Sequence, residues 1–242
     1  MITSHLPLKR PQHYQISSLR LLLLALLLSG CQAAMPRAPA SALPVEPAPP
    51  LPNTPVYVVD PAASQARILV WRDGPLSRLG HNHVLIAPVS GKVHAGDAAA
   101  RSGFSMSIDV AAIKVDPPSA RGEEGEAFAS EISGEDRRGT RENLLGAEVL
   151  DAGNHPRIKM RSVSLSGPHW NPDVVAQLTL RGVTREIAFP AAVFVQGETI
   201  TVIARFTILQ SAFGIEPFSV FGGSLRVRDA IDVRVKVVAK RK

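Results

Sequence analysis

From residue 56 onward, apolar and polar positions alternate along most of the chain. Phe104, Met106, Ile108 and Val110 interleave with Ser105, Ser107 and Asp109. Ile200, Val202, Ala204, Phe206 and Ile208 interleave with Thr199, Thr201, Arg205 and Thr207, and Ile231, Val233, Val235 and Val237 with Asp232, Arg234 and Lys236. A period of two puts the apolar row on one face of a strand and the polar row on the other. Shorter strands are expected over 56–59, 66–72, 84–87, 92–95, 158–165, 174–180 and 187–195. Many such strands joined by Gly, Pro and Asp turns predict an all-β barrel or sandwich.

The rhythm breaks between Arg121 and Asp151, which is rich in Glu, Arg, Gly and Ala. There Arg137, Arg138, Arg141 and Glu142 stand ahead of Leu144 and Leu145. The segment from Glu135 to Leu145 predicts a short helical insertion, one helix or two, with its charges on a solvated face. No internal repeat is evident.

Before residue 56 the composition changes twice. Lys9, Arg10 and Arg20 precede a leucine run, Leu21 to Leu28, broken only by Ala25. That run is short of the about 20 apolar residues a spanning helix needs and fits the apolar core of a secretory signal. Leu28-Ser29-Gly30-Cys31 then resembles the bacterial lipobox. This implies a signal peptide over residues 1–30, acylation of Cys31 and attachment to a membrane through that lipid. Cys31 is the only cysteine, so no intramolecular disulfide is possible. Gln32, where an Asp would signal inner-membrane retention in enterobacteria, favours the outer membrane, on the periplasmic side of the envelope. From residue 31 to 55 the chain is mainly Pro and Ala, an extended spacer. Residues 56–242 remain as a single domain of comfortable size. The net charge of +6 includes the leader and the tail Lys240-Arg241-Lys242. Without base-stacking aromatics on an exported chain, it does not point to nucleic acid.

Several landmarks resemble the YceI-like family, in the right order and over essentially all of 56–239. Leu178-Thr179-Leu180-Arg181-Gly182-Val183-Thr184-Arg185 is similar to its strand-and-turn signature. Tyr57-Val58-Val59-Asp60 with Ser64, Gly80-His81-Asn82-His83, Leu150-Asp151 to His155-Pro156, Ala212-Phe213-Gly214-Ile215 and Val227-Arg228-Asp229 match further landmarks. The chain departs from the pattern at Val149-Leu150, where the family has an aromatic, at His155 in place of Tyr, and at Thr140-Arg141-Glu142-Asn143-Leu144. The resemblance implies an antiparallel lipocalin-like β-barrel of about eight strands. It also implies an exported protein that binds a polyisoprenoid-type lipid.

Candidate site residues follow. Phe104, Met106, Ile108, Leu178, Leu180, Val202, Ala204 and Phe206 form inner rows that would line the barrel around a hydrophobic ligand, or fill it as core. His81, His83, Arg181, Phe213 and Phe218 are candidates for its mouth. The glycine-rich loop Phe213 to Gly223 is either a lip for a lipid tail or a plug. Arg78, Arg181 and Arg185 either hold a phosphate or quinone carbonyl or sit on the rim paired with Asp60, Asp229 or Glu186. His81 and His83 are two apart, so on a strand both face one way and could share a metal ion, with His94 nearby. The alternative is a tight turn over Gly80 to Asn82 in which the imidazoles satisfy exposed backbone groups near the barrel mouth. No Gly-x-Ser-x-Gly elbow, phosphate-cradling loop or dinucleotide fingerprint occurs. No enzymatic activity and no cofactor are expected. The first expectation is a non-catalytic binder or carrier of an isoprenoid or quinone-like lipid. The others are a periplasmic metal or redox accessory protein using His81 and His83, and a structural envelope protein with a filled barrel.

Overall fold

The structure, a computed structural model, describes residues 54–242. The leader, Cys31 and nearly all of the spacer lie outside the described residues. The chain forms β1 (Val56–Val59), β2 (Gln65–Val70), β3 (Arg72–Asp73), β4 (His83–Pro88), β5 (Ser90–His94), β6 (Gly103–Asp109) and β7 (Lys114–Val115). Two helices follow, α1 (Pro118–Gly122) and α2 (Gly134–Leu145). Then come β8 (Arg157–Ser166), β9 (Asp173–Leu180), β10 (Val183–Gln196), β11 (Thr199–Leu209), β12 (Ser219–Val220), β13 (Leu225–Val227) and β14 (Ala230–Arg241).

All neighbouring strands run antiparallel, and β1-β5-β6-β8-β9-β10-β11-β14 closes on itself through β14 and β1. This is a closed barrel of eight strands, three of them broken in two. β1 and β2 are two halves of one bent strand, as are β4 and β5, and β6 and β7. The breaks have local causes. β14 pairs first with β2, over Asp232–Lys236, and later with β1, over Ala239–Arg241. Between them Val238 would be stranded. Its N–H donates to the buried Ser64 hydroxyl (2.8 Å) and its carbonyl accepts from the Asp60 N–H (2.9 Å). The tyrosine-to-serine landmark at 57–64 is thus the joint that keeps the ring hydrogen-bonded.

A second joint lies at Gly91, with φ +147°. A Cβ there would stand 2.2 Å from the Ser105 carbonyl oxygen, so only glycine lets β5 cross so close to β6. In β8 the register shifts between Ser162 and Ser164. This bulge turns Leu165 back to the face carrying Ile158 and Met160.

The two ends of the barrel differ. The terminal end has short connections, 95–102, 167–172 and 197–198, and both Val56 and Lys242 lie there, joined by the Lys242 N–H to the Val56 carbonyl (3.0 Å). The helix end carries the long ones: 71–82, 116–156 with both helices, and 210–229 with β12 and β13, which pair with β3 in a three-stranded sheet. The first part of the 116–156 connection lies on the outer face of β2 and β4, where Ala120 and Phe128 bury Leu69 and Val84. Those two strands are therefore covered on both sides, which explains the unbroken apolar runs Ile68-Leu69-Val70-Trp71 and Val84-Leu85-Ile86. Among the described residues no helix is long and apolar enough to cross a membrane.

Candidate ligand-binding lumen

The inward rows do not fill the barrel. Two apolar cavities occupy it end to end. The one toward the helix end has a volume of about 170 Å³, and the one toward the terminal end about 160 Å³. Met106, Met160, Phe206 and Val235 line both and form the waist between them. Met106 and Met160 are directly paired across β6 and β8, so the narrowing rests on two unbranched, flexible side chains. Phe206 stacks on Phe189, which lines the second lobe beside it, with ring centroids 4.7 Å apart. Polar lining is sparse: Ser107 and Gln210 in the first lobe, Ser102 and His169 in the second. The Ser107 hydroxyl is buried without a hydrogen-bond partner among the described residues.

All eight inner-row residues named from the sequence line this lumen. Ile108, Leu178 and Leu180 belong to the first lobe, Phe104, Val202 and Ala204 to the second, and Met106 and Phe206 to both.

The candidate mouth residues need correction. None of His81, His83, Arg181, Phe213 and Phe218 lines either lobe. All five belong to the helix end. Leu144, Val149, Leu150 and Ile215 roof the first lobe, and every residue lining it is buried or half-buried. Phe213 is 1 % exposed and packs in the core as a plug, while Phe218 stands out on the small sheet. Arg181 holds that roof down. It occupies a left-handed position (φ 49°) in the tight turn with Gly182 (φ 75°), and its guanidinium donates to the carbonyls of Gly214 (2.6 Å) and Ala147 (2.7 Å). Arg185 donates likewise to the Ala212 carbonyl (2.9 Å). These arginines bind main-chain carbonyls, and neither forms an ion pair with a carboxylate among the described residues. Beneath the turn lies His155, so close that a Cβ on Gly182 would sit 2.7 Å from its Cε1.

The second lobe reaches the surface at the terminal end. Val195 lines it and is 60 % exposed, and His169 beside it is exposed too. The opening lies at the terminal end, between the 167–172 turn and the β10–β11 hairpin.

His81 and His83 do not converge. His83 Nδ1 lies 2.6 Å from Asp116 Oδ2, whereas His81 Nδ1 faces the Ser130 hydroxyl at 3.2 Å. Among the described residues no three His, Cys, Asp or Glu side chains are grouped to hold a metal ion. His83 belongs to a buried network that sequence reasoning missed. Asp116, fully buried with φ 49°, accepts from Arg121 Nη1 (2.7 Å) and the Val84 N–H (2.9 Å). Arg121 also donates to the carbonyls of Asn82 (2.7 Å), Phe128 (2.7 Å) and Ser130 (3.0 Å). Burial pushes the Asp116 carboxyl up, but the hydrogen bonds from His83 and Val84 and the charges beside it outweigh that and hold it below the usual carboxylate range. The network pins the 116–130 segment to β4. Its sequence signal is thin: a lone Asp116 before Pro117-Pro118 and one Arg among many.

An eight-stranded antiparallel barrel with an apolar lumen is a lipocalin-like barrel, the class in which one slender ligand fits. The YceI-like domain matches residues 57–239, and the chain belongs to the YceI-like family. Among solved structures it is similar to Burkholderia cenocepacia BcnA, at 19% identity with TM-score 0.52, covering 74% of this chain and 98% of that one. It is also similar to a polyisoprenoid binding domain from Saccharophagus degradans implicated in plant cell wall breakdown, at 15% identity with TM-score 0.52, covering 77% and 98%. At these identities the likeness is one of fold. A search of curated proteins found no match.

Proposed function

We propose that this protein is a non-catalytic carrier that holds the isoprenoid or quinone-like chain of a lipid in its barrel, exported and tethered through Cys31 to the periplasmic face of the outer membrane. The observation that carries the reading is the lumen: two apolar lobes in line, joined by a flexible waist and reaching the surface at the terminal end. A filled structural barrel would have inner rows that meet across the axis, and these rows leave space. Each lobe is comparable with the roughly 150 Å³ apolar cavity that stays dry and takes a benzene-sized guest. One or two isoprene units therefore fit a lobe, and a longer chain threads both only when Met106 and Met160 swing aside. The four polar lining side chains are spread over two lobes and make no acid–base constellation, which supports binding over catalysis. Each buried methylene contributes about 0.8 kcal/mol relative to water. A chain already in a bilayer gains nothing from that term, so the lumen suits carriage across an aqueous gap. The Saccharophagus degradans relative, described as polyisoprenoid binding, supports the ligand class.

The test is displacement of a fluorescent polyprenyl probe. Ala204 is buried on the wall of the second lobe, and Ala204→Phe fills that space. The variant is expected to lose probe binding while keeping the circular dichroism of the parent; unchanged binding would overturn the reading. Metabolic labelling with radioactive palmitate tests the tether, which Cys31→Ala is expected to abolish.

A further inference from the structure

The open end of the barrel carries an apolar surface that the fold does not use. Trp170 is 61 % exposed, Phe194 57 % and Val195 60 %. They are neighbours: the Val193 N–H donates to the Trp170 carbonyl (2.9 Å), and Phe194 and Val195 follow directly on β10. Val195 also lines the second lobe, so this apolar group is the rim of the opening itself.

Two further features share the same end. The cations Lys240, Arg241 and Lys242 lie beside the β10–β11 hairpin. Lys240 pairs with Thr199, and the Arg241 N–H donates to the Glu198 carbonyl (2.8 Å). Among the nearby carboxylates, Asp97 is engaged by Arg101 and Asp60 by Lys240, leaving Glu198 and Asp173 on the rim. The described chain also begins here, at Thr54, so the spacer that leads back to Cys31 leaves from this end.

We propose that the terminal end seats on an anionic lipid bilayer, with Trp170, Phe194 and Val195 in the interface and the basic tail over the headgroups. Aromatic rings belong at that depth, where one edge is apolar and the other wet, and Lys and Arg reach the headgroups alongside them. Exposed apolar surface, with Arg241 and Lys242 beside it, adds a membrane contact to the lipid anchor and orients the barrel on the bilayer. Seated in this way, the barrel faces the membrane with its opening, so a lipid tail passes from bilayer to second lobe without crossing water. The purpose of the surface rests on the carrier reading; the surface itself does not. The helix end also exposes Phe218 and Phe221, but it roofs its lobe and no chain terminus leaves from it, so it serves as the control.

The experiment uses the chain from Gln32 to Lys242, which lacks the acylated cysteine and retains the whole closed ring of strands. Its co-sedimentation is measured with sucrose-loaded vesicles of phosphatidylethanolamine and phosphatidylglycerol. Trp170→Ser with Phe194→Ser is expected to lower partitioning about tenfold, as fits the loss of two interfacial aromatic anchors. Phe218→Ser with Phe221→Ser is expected to leave it unchanged. Lipids brominated in the acyl chain are expected to quench the parent protein and not the Trp170→Ser variant. No vesicle binding by the parent, unchanged binding by the first pair, or loss in the second pair would overturn the proposal. Uptake of a polyprenol from detergent micelles, read by native mass spectrometry without vesicles, separates the two readings. Vesicle binding that depends on Trp170 and Phe194, in a protein that takes up no polyprenol, would leave the docking surface standing and remove the carrier.

Discussion

Asp116 is the residue on which the outer cover of the barrel turns. Its carboxylate is fully buried between Arg121, His83 and the Val84 N–H, so Asp116→Asn leaves a buried guanidinium uncompensated. Losing one partner of such a pair costs about 3–5 kcal/mol, measurable as a lower urea midpoint. The pH dependence follows from the lowered carboxyl. A depressed carboxylate stabilises the fold above its unfolded value, 3.8, and the contribution disappears as pH falls below that through the folded value. Acid unfolding of the parent is expected to set in below about pH 4, and Asp116→Asn is expected to flatten that limb; equal acid slopes would refute the assignment. Ser107 is the opposite case. A buried hydroxyl without a partner gives nothing to stability, so Ser107→Ala is expected to stay within about 0.5 kcal/mol of the parent or exceed it. A loss of more than that in chemical denaturation would show a partner for the hydroxyl.

At the scale of elements, alternation carried the main strands of the barrel and missed the short ones, Lys114–Val115, Ser219–Val220 and Leu225–Val227. The strands expected at 56–59 and 174–180, and the helix expected at Glu135–Leu145, lie within a residue of those found. Inner-row residues on β6, β9 and β11 were legible because a closed barrel has one inside, and period two selects it. What alternation cannot carry is the path of the connections. It could not show that the 116–130 segment covers β2 and β4, although the runs Ile68 to Trp71 and Val84 to Ile86 hold the signal of a two-sided strand. Nor could it tell which lobe has exposed residues in its lining. The glycine-rich loop from Phe213 suited a lip or a plug equally, and burial divides it: Phe213 and Ile215 turn inward as core before Phe218 emerges. Two element-scale outcomes test the geometry. Gly91→Ala places a methyl against the Ser105 carbonyl and is expected to unfold or strongly destabilise the barrel in thermal melts. Met160→Phe narrows the waist, and is expected to shorten the longest prenol retained in a length series read by native mass spectrometry; an unchanged limit would mean that the lobes are not threaded together.

The whole described molecule is one closed barrel whose lumen runs from the helix end to the terminal end. Arg181 and Arg185 hold the roof by its carbonyls, Ser64 and Asp60 keep the ring closed where β14 changes partners, and the flexible methionines sit midway along the lumen. The lumen so formed is long, narrow and largely apolar. The most direct measurement is native mass spectrometry of the chain purified gently from a bacterial periplasm, followed by organic extraction. The account predicts one bound lipid per barrel with an isoprenoid or quinone-like mass, absent from Ala204→Phe. A bare protein mass for the parent, from cells in which such lipids are abundant, would contradict it.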